Sequence, residues 1–271
     1  LRAQGLSAPE IYHTDLEHGF LILEDLGSES FVHGDPPQPI AERYRLATDL
    51  LAAMHRTTLP AVLPLTEELD YVIPEFDTEA MLVEIGLMLE WYLPDRGVDP
   101  GDAQRADFIA MWRELLAEPN ATAKTWVLRD FHSPNLIWLG ERTGVNQVGL
   151  IDFQDAVLGP TSYDLVSLLQ DARIDVPEDL EIALLTRYIM ARRGANPTFD
   201  PPAFAELYAI MSAQRNTRLL GTFARLNRRD GKPQYLRHQP RIWTYLNRSL
   251  AHPALAVLRE WYQAHVPPPA V

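Results

Sequence analysis

Cysteine is missing altogether from the 271-residue chain, and lysine occurs only twice, as Lys124 and Lys232. Without cysteine there is no disulfide, no thiolate nucleophile and no cysteine-ligated zinc, which agrees with a reducing compartment. No run of about 18 apolar residues occurs, and the opening "LRAQGLSAPE" lacks the basic-then-apolar layout of a secretory signal. The expectation is a cytoplasmic protein with no membrane partner. Positive charge is scarce too: 24 Lys and Arg against 37 Asp and Glu leave a formal net charge of -13. A nucleic-acid backbone is bound mainly by clustered basic side chains that release counterions, so the charge balance argues against that partner. A small molecule is expected instead.

What is present is ordinary for a soluble chain able to bury a substantial core: 46% hydrophobic and 23% charged residues. Ile11 to Thr14 and Phe20 to Leu23 read as paired strands around a Glu17-His18-Gly19 turn. Ser, Gly, Asp and Pro in "SESFVHGDPPQP" read as a linker. Helical periodicity then marks 40–56, 76–92 and 102–116, with Asp77 and Asp102 placed as caps or first-turn acids. Short strands are expected at 126–128, 136–139 and 148–151. Helices follow at 162–172, 178–193, 202–226, 240–250 and 253–265, and the tail "VPPPAV" reads as frayed. The fold class is α+β, with a few short strands inserted in a mostly helical body. Leu1 in place of Met, with the end of a helix running directly into strand material, reads as the beginning of a fragment.

The inserted strands carry the chemistry. Between the apolar runs of "WVLRDFHSPNLIWLG" lie Asp130 and Asn135, and a later apolar strand in "LIDFQDA" ends at Asp152. Kinase-type phosphoryl transfer needs a carboxylate beside the attacking hydroxyl, an amide oxygen on magnesium and a second carboxylate on the metal. Asp130 fits the catalytic role; Asn135 and Asp152 fit the metal-holding ones. Arg129 either neutralises a phosphate or pairs with Asp152 or Asp155. Asp155 either stands behind a metal ligand or closes a turn.

"VLRDFHSPNLIWL" followed by "GLIDFQDAVLGPTSYDLVSLLQDAR" resembles the aminoglycoside phosphotransferase and choline kinase group, over essentially the whole chain. The resemblance implies a protein-kinase-like fold, with residues 1–27 as a remnant of the amino-terminal lobe and hinge and 28–271 as a helical carboxy-terminal lobe. It implies Mg2+ and ATP, with the hinge strand in "LILEDLG" offering the backbone of Glu24, Asp25 and Leu26 to adenine. It also implies a Gly-Pro turn at Gly159-Pro160 and a structural, loop-bracing Asp164. Within that group, "SYDLVSLLQDARIDVP", "AQRNTRLLGTFARLNRRDGKPQYL" and "HPAL" resemble the bacterial cytoplasmic sugar kinases that phosphorylate the anomeric hydroxyl of N-acetylmuramic acid and N-acetylglucosamine in cell-wall recycling.

The chain departs from the group's pattern in two ways. The usual His two residues before the catalytic Asp is Leu128, so His132 is the candidate to supply part of the loop's polar wiring. A Gly-rich phosphate loop, a strand Lys and its Glu partner are not found, and both lysines lie past the hinge. That gap predicts weak nucleotide binding and slow turnover by the chain as it stands.

Candidates for holding the acceptor are Asp171 and Arg173, which follow the helix leaving the metal site, and Arg215, Asn216 and Arg218 on a later helix. An Arg fork there suits a muramic-acid carboxylate. Trp91, Tyr92 and Trp243 either stack on a sugar or fill the core. Two readings stand beside the sugar kinase: a kinase for a cationic acceptor such as an aminoglycoside or choline, and a silent remnant acting as a binding module.

Overall fold

The computed structural model describes residues 1–65 and 69–269. Contacts divide the chain into two compact units. The first comprises Leu1–Thr58, Leu128–Ala156 and Ser167–Phe199; the second comprises Leu59–Val127, Val157–Val166 and Asp200–Val271. Helices dominate both, and the strands among the described residues form five two-stranded sheets.

The first unit begins with the expected hairpin, Ile11–Asp15 paired antiparallel with Phe20–Leu23. Its turn is held by the Asp15 carboxylate, which accepts from His18 N at 3.0 Å, an Asx-type closure. Leu16, Phe20 and Ile22 lie exposed on it. The stretch read as a linker contains a small hairpin instead, Val32–His33 against Gln38–Pro39. Phe31, fully buried, anchors it edge-on to Trp138. Helix Ala41–Met54 packs on Glu178–Ala195.

The second unit is organised around one 30-residue helix, Pro201–Asp230. Local chemistry sets both of its ends. Asp200 caps the first turn by accepting from Ala203 N at 3.2 Å, with Pro at the opening positions where no N–H is needed. Gly231 stops it in the left-handed region at φ 64, its N–H returning to Leu226 O. Helices Thr78–Leu87 and Gln239–Leu250 pack along this axis. Asp77 caps the former as expected, accepting from Ala80 N at 2.9 Å.

Several elements differ from the sequence expectation. Gly159-Pro160, expected as a turn, lies in a strand, Val157–Pro160, paired antiparallel with Lys124–Val127. Gly suits this strand because a Cβ at Gly159 would come within 3.1 Å of Val127 Cγ2, and Pro is tolerated at its end. The helix expected over 162–172 ends at Leu169. The 76–92 helix passes through a π turn at Met88–Tyr92 and continues to Asp95. The tail does not fray as far as Pro269: Val266 is buried, and Tyr92, itself buried, donates its hydroxyl to Pro267 O at 2.9 Å.

Candidate active site

The loop 128–135 and the segment after the strand Val148–Leu150 both belong to the first unit. Strand Leu136–Trp138 pairs antiparallel with Val148–Leu150 in the register Leu136↔Leu150, and Ile151 N donates to Asn135 O at 3.2 Å. This register sets the residue before one strand beside the residue after the other. Asn135 Nδ2 therefore donates to an Asp152 carboxylate oxygen at 3.0 Å and to the Asp130 carbonyl, also at 3.0 Å. One amide thus ties together the two aspartates proposed for metal and acceptor.

The backbone bears the marks of a built site. Among the described residues the non-glycine positions with left-handed backbone are Arg129 (φ 66) and Asp152 (φ 60). That conformation costs an L-residue roughly 1–2 kcal/mol and persists where surrounding structure over-determines it, which happens most at functional sites. At Arg129 the hold includes Ser167, whose hydroxyl donates to its carbonyl at 3.3 Å. At Asp152 the second carboxylate oxygen accepts from Gln154 Nε2 at 2.7 Å. Asp152 and Asp155 are exposed, whereas Asp164 is buried.

Asp171 was expected near the acceptor, but it is fully buried beneath the loop. One of its oxygens accepts from Ser133 Oγ at 2.7 Å and Ser133 N at 3.3 Å, and the other from Arg173 N at 2.8 Å. With both oxygens engaged, it braces the loop and leaves nothing for a ligand. This tie also explains why the preceding helix stops early. Arg173 Nη1 lies 3.2 Å from His132 Nε2, and His132 Nε2 lies 3.8 Å from Asp130 Oδ1. A guanidinium only donates, so in the contact with Arg173 it is His132 Nε2 that accepts.

Arg215, Asn216 and Arg218 lie in the second unit, outside the one that carries Asp130. Arg215 and Asn216 are buried in its core, Asn216 Nδ2 donating to Ser212 O one turn back at 2.9 Å, and Arg218 Nε sits 3.7 Å from a Glu84 carboxylate oxygen. In the segment expected to be the hinge, Glu24 N is taken by Glu10 O at 2.8 Å, while the Glu24 side chain pairs with Arg142 at 2.9 Å. Asp25 accepts from Gly27 N at 2.8 Å. No backbone hydrogen bond occupies Glu24 C=O or Leu26 N–H among the described residues. That donor and acceptor, two residues apart, suit the edge of a purine. Gly149 lets Leu26 pack closely, since a Cβ there would come within 3.2 Å of Leu26 Cδ1.

The donor set fits magnesium. No group of three or more His, Asp or Glu able to cage an ion occurs among the described residues. Asn135 Oδ1 accepts no hydrogen bond there and stands next to the exposed Asp152 carboxylate. Magnesium binds through one or two protein oxygens and takes the rest of its shell from phosphate and water. No helix among the described residues is long and apolar enough to cross a membrane.

A protein from Caulobacter vibrioides called N-acetylmuramate/N-acetylglucosamine kinase is 39% identical over 271 residues, covering 98% of this chain and 72% of the relative. One of the same name from Neisseria meningitidis is 36% identical over 259 residues, covering 90% and 70%. Among solved structures, a choline kinase from Streptococcus pneumoniae superposes with a TM-score of 0.58 at 16% identity, covering 95% of this chain and 77% of that one. An ADP-bound aminoglycoside phosphotransferase, APH(2'')-Ib, gives 0.51 at 14% identity, covering 89% and 75%. At such identities the likeness speaks for the fold alone, and that fold is the α+β, protein-kinase-like one. The sequence model of the phosphotransferase enzyme family matches residues 1–207, a stretch that takes in Glu24 to Leu26, the Asp130–Asn135 loop, Asp152 and Arg173, and the chain belongs to that family.

Proposed function

We propose that the protein transfers the γ-phosphoryl group of ATP to the anomeric hydroxyl of an amino sugar, N-acetylmuramate or N-acetylglucosamine, in cell-wall recycling. The observation that carries the acceptor class is the pair of relatives of that name, at 39% and 36% identity. The transfer chemistry rests on the Asp130–Asn135–Asp152 cluster. Asp130 accepts a hydrogen bond from the sugar hydroxyl and takes its proton as the O–P bond forms and the bond from Pγ to the β–γ bridging oxygen breaks, releasing ADP. A hemiacetal hydroxyl is more acidic than the other ring alcohols, so a carboxylate is base enough. The loose transition state makes positioning and charge neutralisation the main sources of rate. Asn135 Oδ1 and the Asp152 carboxylate would hold Mg2+, which when bound neutralises charge on the nucleotide phosphates. Glu24 C=O and Leu26 N–H would receive the adenine.

The test is ATP consumption measured side by side with N-acetylmuramate, N-acetylglucosamine, kanamycin and choline. Turnover with the amino sugars well above that with the two cations is expected, and the product's phosphate should sit on C1 by phosphorus and carbon NMR. Phosphorylation of choline or kanamycin alone would replace the amino sugar by a cationic acceptor.

A further inference from the structure

Arg173 is a guanidinium with no carboxylate partner among the described residues, in a chain that carries 37 acids. Elsewhere in the same unit the arginines are commonly paired, as Arg43 with Glu29, Arg142 with Glu24 and Arg187 with Asp49. Arg173 is half-buried, and its position relative to the loop is set twice. Its backbone N is held by the buried Asp171 that also clamps Ser133, and one guanidinium nitrogen is held by His132 beside Asp130. A cation so placed would ordinarily attract one of the exposed acids nearby, yet its remaining N–H groups are left without a protein acceptor among the described residues.

We propose that Arg173 is a specificity-determining residue, donating its remaining guanidinium N–H groups to a carboxylate borne by the acceptor. Resting on the amino-sugar reading, this distinguishes the two sugars: N-acetylmuramate carries a lactyl ether carboxylate on C3, two carbons round the ring from the anomeric centre, and N-acetylglucosamine carries none. With its anomeric hydroxyl at Asp130, an acidic sugar has to bring that carboxylate close to the acids of the site. A guanidinium fixed one imidazole away from Asp130 offsets the repulsion. It also presents the planar fork that matches a carboxylate, whereas neutral N-acetylglucosamine needs no such partner.

The experiment compares the unsubstituted protein with Arg173→Gln and Arg173→Lys, measuring kcat and KM for each sugar at saturating MgATP. Arg173→Gln should raise KM for N-acetylmuramate about 10- to 100-fold, the range for losing a charge-assisted hydrogen bond, with a loss on N-acetylglucosamine at least several times smaller. Arg173→Lys, which keeps the charge and loses the fork, should recover part of the N-acetylmuramate loss. Turnover on N-acetylglucosamine serves as the internal check that the substituted protein is folded. A parallel fall on both sugars, or a fall confined to kcat, would mean that Arg173 only positions His132, and the assignment fails while the sugar-kinase reading stands. Turnover of kanamycin or choline and of neither sugar by the unsubstituted protein overturns both.

Discussion

Asp130 is the residue on which the proposed chemistry turns. Its backbone carbonyl is held by Asn135, and its carboxylate has His132 Nε2 at 3.8 Å, so replacing the carboxylate by an amide leaves the loop's scaffold intact. Asp130→Asn is expected to lower kcat by about 10²–10⁴-fold, the usual worth of a positioned general base, with the urea midpoint nearly unchanged. Unchanged turnover would remove Asp130 from the mechanism. The spacing of Asp130, Asn135 and Asp152 was readable because phosphoryl transfer prescribes those oxygen-bearing side chains in that order. The job of Asp171 was not readable. Its carboxylate looks like a free acid in the string "LLQDAR", and only a partner 38 residues away, Ser133, gives it a buried structural role. Arg215 and Asn216 misled in the same way, since polar residues on a helix look like a surface until the core of the second unit closes over them.

Among the glycines, the tightest position lies in the second unit, where the long helix Pro201–Asp230 meets the π turn. A Cβ built on Gly221 would overlap the carbonyl group of Leu87 and come within 2.6 Å of Met88 N, so two backbones touch there with no room for a methyl group. The π turn Met88–Tyr92 begins at this contact, where one extra residue per turn widens the helix. Gly221→Ala should lower stability by about 1–3 kcal/mol, the cost of overpacking a closed interface, even though Ala is the better helix former. A melting temperature equal to or above that of the unsubstituted protein would refute the contact. Most helices were readable from apolar periodicity and their capping residues. The strand Val157–Pro160 was missed because Gly and Pro side by side usually break structure, and only its partner Lys124–Val127 makes them extended.

Over the whole folded molecule, acid stability offers a test on a group remote from the chemistry. His55 is buried between Ala41–Met54 and Glu178–Ala195, with Nδ1 2.8 Å from the Tyr188 hydroxyl and no partner at Nε2 among the described residues. Burial, reinforced by the nearby Arg192 charge, lowers its pKa from 6.5 to about 3. The unfolded chain therefore takes up a proton at this residue that the folded protein refuses. His55's contribution to stability is full above pH 6.5 and is lost as the pH falls towards 3. At about 1.4 kcal/mol per pH unit, roughly 2 kcal/mol of stability should disappear between pH 7 and pH 5. Urea unfolding at both values should show that loss, and His55→Gln should lack this share of it. An identical pH dependence in the two proteins would place a charged His55 in the folded state.

Across these scales, the division follows the range of the interaction. Helix positions, the hairpin Ile11–Leu23, the absence of cysteine and the Asp130–Asn135–Asp152 order depend on residue type and on neighbours a few positions away, so they were legible in the one-dimensional string. Which acids are buried, how Arg173 comes to lie beside His132, and where Gly159 is crowded and Gly221 admits no side chain depend on contacts between residues tens of positions apart. Those contacts exist only once strands have paired in register and helices have packed, because an extended chain gives Asp171 and Ser133 no reason to meet.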